Sequence, residues 1–496
     1  MNARDAAYCE ATVSLARPAR SGAAVLEWVT LSMLAVGWAY FSYGYIEDDA
    51  FIHLEFARSV ADGLGFAFAG NVTNGDTSPL WVLFLILVHA FGIPWIPAAK
   101  VACAAGLVLA ASGAWKLASD LPHECPTHQR LPFAAFAVIV LSPYFVHWSF
   151  SGMEGTAALG LSLWALWAIF LGRLTVPRAL FAASLLALGP LLRPELLVFA
   201  ALVGPVLLWR LWQANEGKSA AYRLACCGGL GLLMLVPSCA WCYYALHAFG
   251  SLIPNTNAAK RGGALSGIAW RLVQVYAMGF SVTLLGLPFA LIRGMWGRRT
   301  PGVIWALLLW PAACVVFYLA DHTLVQTRYC LLSMPSASIA VLWLLARILR
   351  PRAFAVAAGA MLATSLLVIA SIVVPHVRNK SELRESFAAV SAFIRENIPA
   401  RERVAVFAIG QIEFESQHPL VDLGGITEPE VVPYLNDPRA VLRWAKGRGA
   451  RYFVGNDPPE PGALPVFAVK VPYIGWSLRH ARYSAREPYG VYRLPK

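Results

Sequence analysis

The chain has 496 residues, of which 58% are hydrophobic and only 14% charged, and its mean hydropathy is +0.58. Those values exclude an ordinary soluble globule, and the length of the apolar runs excludes barrel strands, so the composition predicts a polytopic α-helical membrane protein. The formal charge of +12 calls for no nucleic acid, because basic residues collect in short connections between apolar runs, as the positive-inside rule expects beside anionic lipid.

Residues 1–23 read as a short tail whose Arg4, Arg17 and Arg20 predict a cytoplasmic N-terminus. They are too polar for the apolar core of a signal peptide, so the first span, Ala24–Tyr43, is expected to be retained as an anchor. The stretch Tyr45–Trp81 follows. It inverts the local charge, with Glu47, Asp48, Asp49, Glu55, Asp62 and Asp76 set against Arg58. Phe51, Leu54, Ala57 and Ala61 recur at helical spacing, with Gly63 and Gly65 ending the pattern, which predicts an amphipathic helix lying in the membrane interface. Asn74-Gly75 marks a turn, and Thr77-Ser78-Pro79 starts the second span.

Further spans are expected at Pro97–Ala118, Leu131–Val146, Glu154–Leu171, Leu180–Leu192, Leu196–Trp212, Leu224–Leu246, Leu272–Ile292, Val303–Leu319, Leu331–Ile348 and Phe354–Val374. The total is 11–13. Leu180–Trp212 is interrupted at Gly189-Pro190 and again at Arg193-Pro194, as in broken helices that line polar cavities. From residue 376 the composition changes. SELRESFAAVSAFIRENI reads as a helix, ERVAVFAIG as a strand ending in Gly, PLVDLGG as a second strand, DPRAVLRWAKGRG as a helix and ARYFVGND as a third strand. A final β-rich run completes a small α/β domain over 376–496.

Cys103, Cys226, Cys227, Cys239, Cys242, Cys314 and Cys330 sit in or beside spans, and no Cys follows Cys330, so the C-terminal part has no disulfide. His123, Glu124, Cys125 and His128 have no standard metal-site spacing and read as a polar interhelical loop.

Ionisable groups inside a membrane body are costly and must be paired or functional. Glu154, Arg193, Glu195, Lys260, Asp321, His322, Arg328 and Tyr329 stand out on that ground. Four of them also have a structural explanation: a mutual ion pair for Arg193 and Glu195, snorkelling for Arg328, and a solvated or positive-inside residue for Lys260. Asp48 and Asp49 are either a base with its neighbour or a helix cap. Arg193, Lys260 and Arg328 together would clamp a phosphate.

The run DDAFIHLEFARSVADGLGFAFAGN, followed by GDTSPLW, resembles the first outer loop of polyprenyl-phosphate-sugar glycosyltransferases with the GT-C fold, closest to the terminal β-(1→2)-arabinofuranosyltransferase branch. SGMEGT (151–156), LLRPELL (191–197), FGSLIPNTNAAK (249–260) and TRYCLLSMP (327–335) follow in that family's order, and IGQIEFESQHPLVDLGGITEPEV (409–431) is similar to the branch's soluble domain. The resemblance implies a GT-C membrane body over 24–375 with an outer catalytic loop at 45–77. It implies a polyprenyl-phosphate sugar donor, arabinofuranose first, and an extracytoplasmic glycan, lipopolysaccharide or protein acceptor at the bacterial inner membrane. The active site and the soluble domain would lie on the outer side, which requires an odd helix count.

Asp48 and Asp49 carry over as catalytic carboxylates. Arg193, Arg328, Lys260 and Tyr329 carry over around the donor phosphate, with Glu47, His53, Thr77, Ser78, Glu154, Glu195 and His322 lining the pocket. No cofactor is required, although two carboxylates would suit Mg²⁺ beside a phosphate. Where the family has an aromatic run before its Lys, this chain has Asn257-Ala258-Ala259, and Gly155 separates Glu154 from Thr156. These departures leave the acceptor and the sugar open, with mannose and aminoarabinose as alternatives. A transporter of lipid-linked sugars is the competing class, against which the chain shows no internal repeat and keeps its acids in a loop.

Overall fold

The computed structural model describes residues 33–34, 36–122, 127, 130–260, 265–280, 288, 291–292, 300–323, 325–472 and 486–495. Among them, five helices are long and apolar enough to cross a membrane: Trp95–Asp120, Glu195–Ala214, Ala220–Phe249, Gly302–Ala320 and the run Pro351–Asn397. Pro79–His89, Leu131–Val140, Gly155–Phe170, Val176–Leu192 and Met334–Ile348 are shorter apolar helices. Half of the first expected span, the segment 281–292 apart from three residues, and the His123–His128 motif apart from Thr127 lie outside the described residues.

Helices in lipid gain little from hydrophobic contact with one another and rely on close packing of small residues. Helices Trp95–Asp120 and Gly155–Phe170 pack in this way. At Gly160 an added Cβ would fall 2.7 Å from the Ala110 amide nitrogen. Two boundaries differ from expectation. The expected span Leu131–Val146 is two helices, Leu131–Val140 and Pro143–Trp148, because Ser142 caps the second by accepting the Phe145 N–H at 3.3 Å. Gly189-Pro190 does not break its helix, which continues to Leu192 and stops at Arg193 before Pro194. A proline disfavours helical backbone in the residue before it, which explains a stop at Arg193.

Helix Asp48–Ala61 forms as expected but is not an interfacial helix. Phe51, Leu54, Phe56 and Ala57 are fully buried, and His53, Glu55 and Ser59 are buried too. Protein covers the face assigned to lipid: Phe414 packs on Phe51 with ring centroids 5.6 Å apart, and its carbonyl accepts from Arg58 Nη1 at 3.1 Å. A two-residue hairpin, β1 (Ala67–Phe68) and β2 (Asn71–Val72), follows.

The C-terminal part holds a five-stranded sheet of β3 (Arg403–Val406), β4 (Leu420–Asp422), β5 (Ala450–Gly455), β6 (Leu464–Pro472) and β7 (Arg486–Arg493), in the order β4-β3-β5-β7-β6. β3 runs parallel to both β4 and β5, with helices Ile409–Ser416 and Pro438–Gly447 in the crossovers, while β7 is antiparallel to β5 and β6. Its core is Ala405, Val421, Leu423, Val431, Val441, Leu442, Ala445, Ala450 and Leu494. The strand expected to run to Gly410 ends at Val406, and Ile409-Gly410 instead open a helix. That change places the Gly410 and Gln411 N–H groups against the Asp48 carboxylate.

Candidate active site

Four chain segments are laced together around the acid pair. The Glu47 N–H donates to the Ser151 carbonyl at 2.9 Å, and Trp81 Nε1 donates to the Gly152 carbonyl at 3.1 Å. Lys100, buried in helix Trp95–Asp120, donates to the carbonyls of Tyr45 and Phe150. Gly152 has φ +88°, and an added Cβ would meet the Ala50 Cβ at 2.7 Å, so this crossing admits only glycine. The SGMEGT segment thus lies directly against the first turn of helix Asp48–Ala61.

The two aspartates of that turn face different partners. Asp48 accepts the N–H groups of Gly410 and Gln411 at 3.2 and 2.9 Å, at the start of helix Ile409–Ser416. Burial pushes its carboxyl up to about 6, against the lowering effect of those N–H groups, and the neighbouring Asp49 adds to the rise. Asp49 lines a cavity of about 110 Å³, and its Oδ2 lies 2.5 Å from Arg328 Nη1. The Arg328 side chain is 6% exposed and that of Asp49 36%, so the cation is fixed and the carboxylate is reachable.

The cavity wall is a continuous ionic network. His53 Nδ1 lies 2.6 Å from Asp76 Oδ2 and its Nε2 lies 3.4 Å from Glu154 Oε2. Burial opposes the charge on His53, but the two carboxylates outweigh it and push the imidazole up to about 10. Arg193 Nη1 reaches Glu154 Oε1 at 2.6 Å, and its Nε and Nη2 grip Glu195 at 3.1 and 2.8 Å, a bidentate fork. Tyr318 donates to Glu195 at 3.0 Å. The Tyr329 ring centroid lies 5.2 Å from the Arg193 guanidinium and 5.3 Å from that of Arg328, so one aromatic ring packs against both cations. Thr256, Asn257, Asp321, Thr323 and Ile426 also line the cavity. Thr256 Oγ1, Asn257 Oδ1 and Arg328 Nε are buried without a hydrogen-bond partner among the described residues. Three such atoms at one cavity indicate a site shaped for a polar guest.

Of the residues expected at the site, Asp49, His53, Thr77, Glu154, Arg193, Glu195, Arg328 and Tyr329 meet at this cavity. Ser78 is buried behind it, its N–H bonded to Asp76 Oδ1 at 2.5 Å. Glu47 is turned away, 2.8 Å from Lys380 Nζ. Burial opposes its ionisation, but that ammonium outweighs burial and holds the carboxyl below its usual value. His322 is exposed, in a left-handed turn at φ 53°, and is not part of the lining. Lys260 closes helix Asn255–Lys260, but its side chain lies outside the described residues. Arg193 is committed to two carboxylates and is no open phosphate clamp, which leaves Arg328 as the described cation facing the cavity with an unpartnered N–H. Asp76, Tyr318 and Ile426 were not among the expected site residues. Asp76 sits in a sequence that reads as a turn, and nothing near Ile426 marks it as a neighbour of residues 49–77.

The described helices and the five-stranded sheet are those of a polytopic membrane protein with a small C-terminal sheet region, and likeness to solved structures identifies the fold as GT-C. In line with this, the chain superposes on ArnT from Cupriavidus metallidurans bound to undecaprenyl phosphate with a TM-score of 0.59 at 15% identity, covering 95% of this chain and 98% of that one. The apo form of ArnT gives 0.60 at 14%, covering 96% and 100%. The arabinofuranosyltransferase AftD from Mycobacteria gives 0.53 at 17%, covering 96% of this chain and 42% of that longer one. Residues 375–492 match a domain family of unknown function (DUF8728). No curated protein sequence matches the chain.

Proposed function

We propose that this protein is a membrane glycosyltransferase that moves a sugar from a polyprenyl-phosphate donor to an acceptor outside the bacterial inner membrane. What supports this reading is one juxtaposition: a reachable Asp49 carboxylate beside a buried, partly unsatisfied Arg328 in a polar cavity of a GT-C body. In this reading Asp49 takes the proton of the acceptor hydroxyl as that oxygen bonds to the anomeric carbon. The bond from that carbon to the phosphate oxygen breaks, and Arg328 holds the departing phosphate charge. The network of His53, Asp76, Glu154, Arg193 and Glu195 keeps the wall rigid and meets sugar hydroxyls. The region 24–375 is the membrane body, and 376–496 covers the cavity from the outer side.

Arabinofuranose is the first donor sugar to test. The lining carries Asp49, Asp76, Glu154, Glu195 and Asp321 against Arg193, Arg328 and His53. This acid excess would favour a cationic amino-pentose, the second reading.

The experiment is transfer in membranes from synthetic polyprenyl-phosphoryl arabinofuranose, aminoarabinose and mannose to glycan, lipopolysaccharide and peptide acceptors. Asp49→Asn should lower turnover at least about 10²-fold, the size of a general-base loss, with little change in donor KM. Full turnover in that variant would overturn the role given to Asp49. Movement of lipid-linked sugar across vesicles without transfer would overturn the enzyme reading.

A further inference from the structure

Apart from the cavity, a second group of donor atoms converges beside the first turn of helix Asp48–Ala61. Glu47, His147 and His376 come from three separate segments, and one donor atom from each lies within 4.8 Å of the other two. His147 and His376 are 1% and 2% exposed, and their rings meet edge to face at 5.0 Å. The Tyr45 hydroxyl lies 3.2 Å from Glu47 Oε1 and 3.1 Å from His147 Nε2.

The backbone beneath His376 is unusual in the same place. The π-turn Ile369–Val373 ends three residues before it, inside an otherwise α-helical run. One residue more or less in a helix turns every later side chain by about 100°, so the π-turn sets which way His376 faces. Such turns concentrate at functional positions.

From these observations we propose that Glu47, His147 and His376 form a Zn²⁺-class metal site, with the Tyr45 hydroxyl as fourth donor or as a hydrogen-bond support. Two imidazoles and a carboxylate are the donor set of a borderline ion, not of Mg²⁺ or Ca²⁺, which take mostly oxygen. Ligand atoms about 2.0–2.1 Å from a tetrahedral ion stand roughly 3.4 Å apart, so the present spread of up to 4.8 Å must close by about 1.4 Å when an ion binds. Lys380 Nζ, 2.8 Å from Glu47 Oε2, now supplies the positive charge there. Its flexible, part-exposed stem lets the ammonium swing to water when an ion enters. The bound ion ties the residue just before Asp48-Asp49 to the short helix Pro143–Trp148 and to the long C-terminal helix. It is a positioning site, since none of its three ligands lines the cavity.

The test uses the full chain, tag removed, treated with chelator and then titrated with CoCl₂. One equivalent of cobalt per chain should give the intense visible absorption of a tetrahedral site, displaced by ZnCl₂ and not by MgCl₂. His147→Gln and His376→Gln should abolish the band. Lys380→Met removes the competing cation and should tighten binding about tenfold, the scale of outer-sphere effects on metal affinity. This last variant keeps every ligand, so it tests the site even if the histidine variants fail to fold. The absence of a stoichiometric band in the wild type, a band that survives His147→Gln, or unchanged affinity in Lys380→Met would each overturn the proposal and leave a hydrogen-bonded cluster neutralised by Lys380. None of these readings depends on sugar transfer.

Discussion

Replacing Gly410 by Ala tests how the C-terminal region is fastened to the acid pair. An added Cβ there would collide with the Asp48 carbonyl, which is backbone and cannot rotate aside, and would crowd its Cγ at 3.0 Å. Relief to ordinary contact requires helix Ile409–Ser416 to withdraw by about 1 Å or more. Withdrawal stretches the N–H bonds from Gly410 and Gln411, now 3.2 and 2.9 Å, beyond useful length. Overpacking costs about 1–3 kcal/mol. Losing hydrogen bonds to a charged group adds about 1.5–3 kcal/mol. The variant should therefore lose about 3–5 kcal/mol locally, at the upper end for single substitutions. Amide hydrogen exchange over 407–417 is the assay, because the loss is local to that segment and exchange reports local opening. Exchange there should rise by at least about 10²-fold, since 1.4 kcal/mol is tenfold. Asp48→Ala should give a smaller rise, and the two effects should be less than additive because they share the same hydrogen bonds. Wild-type protection in Gly410→Ala would refute the docking geometry.

Other consequences are equally open to measurement. Glu413 is buried, and burial, reinforced by Glu55, pushes its carboxyl from 4.5 up to about 8. The folded state thus holds the proton more tightly, and its stability is full below pH 4.5 and falls as pH rises toward 8. Glu413→Gln should flatten that slope in thermal scans and raise Tm at pH 8, whereas an unchanged slope would count against it. For His53 the folded value is raised to about 10, so its ion pairs contribute fully below pH 6.5 and are lost as pH rises through 10. His53→Gln should remove that loss at alkaline pH. Arg193→Met removes the cation shared by Glu154 and Glu195, leaving them His53 and the Tyr318 hydroxyl, and should cost about 3–5 kcal/mol. Arg193→Lys keeps the charge but loses the fork and should fall between, so equal Tm values for the Lys and Met variants would refute the bidentate role.

Much of the membrane architecture is written in local pattern. Span positions follow from apolar length, and the break at Arg193 follows from the proline after it. The acidic stretch stood out because its charge opposes the rest of the chain. What local pattern does not carry is that Asp48 and Asp49 face different partners. That depends on Gly410, far along the chain, whose segment reads as the end of a strand because Val404, Ala405 and Val406 continue an apolar run into it. The interfacial reading of helix Asp48–Ala61 failed for a related reason: Phe51 looks lipid-facing until Phe414 is known to cover it. Arg193 and Glu195 presented both an ion pair and a phosphate clamp, and only the position of Glu154, from another helix, decides for the ion pair.

The helical run Pro351–Asn397 has a mechanical consequence. Its 47 residues extend about 70 Å, more than twice the roughly 30 Å hydrocarbon layer. One rod therefore passes from lipid into the C-terminal region. Matching its apolar half to a thicker or thinner bilayer changes its tilt. A small angle at the membrane becomes a displacement of several ångströms at the far end. Ile426 from that region lines the cavity that holds Asp49, so turnover should shift with acyl-chain length in bilayers of defined thickness, and a rate independent of thickness would refute the link.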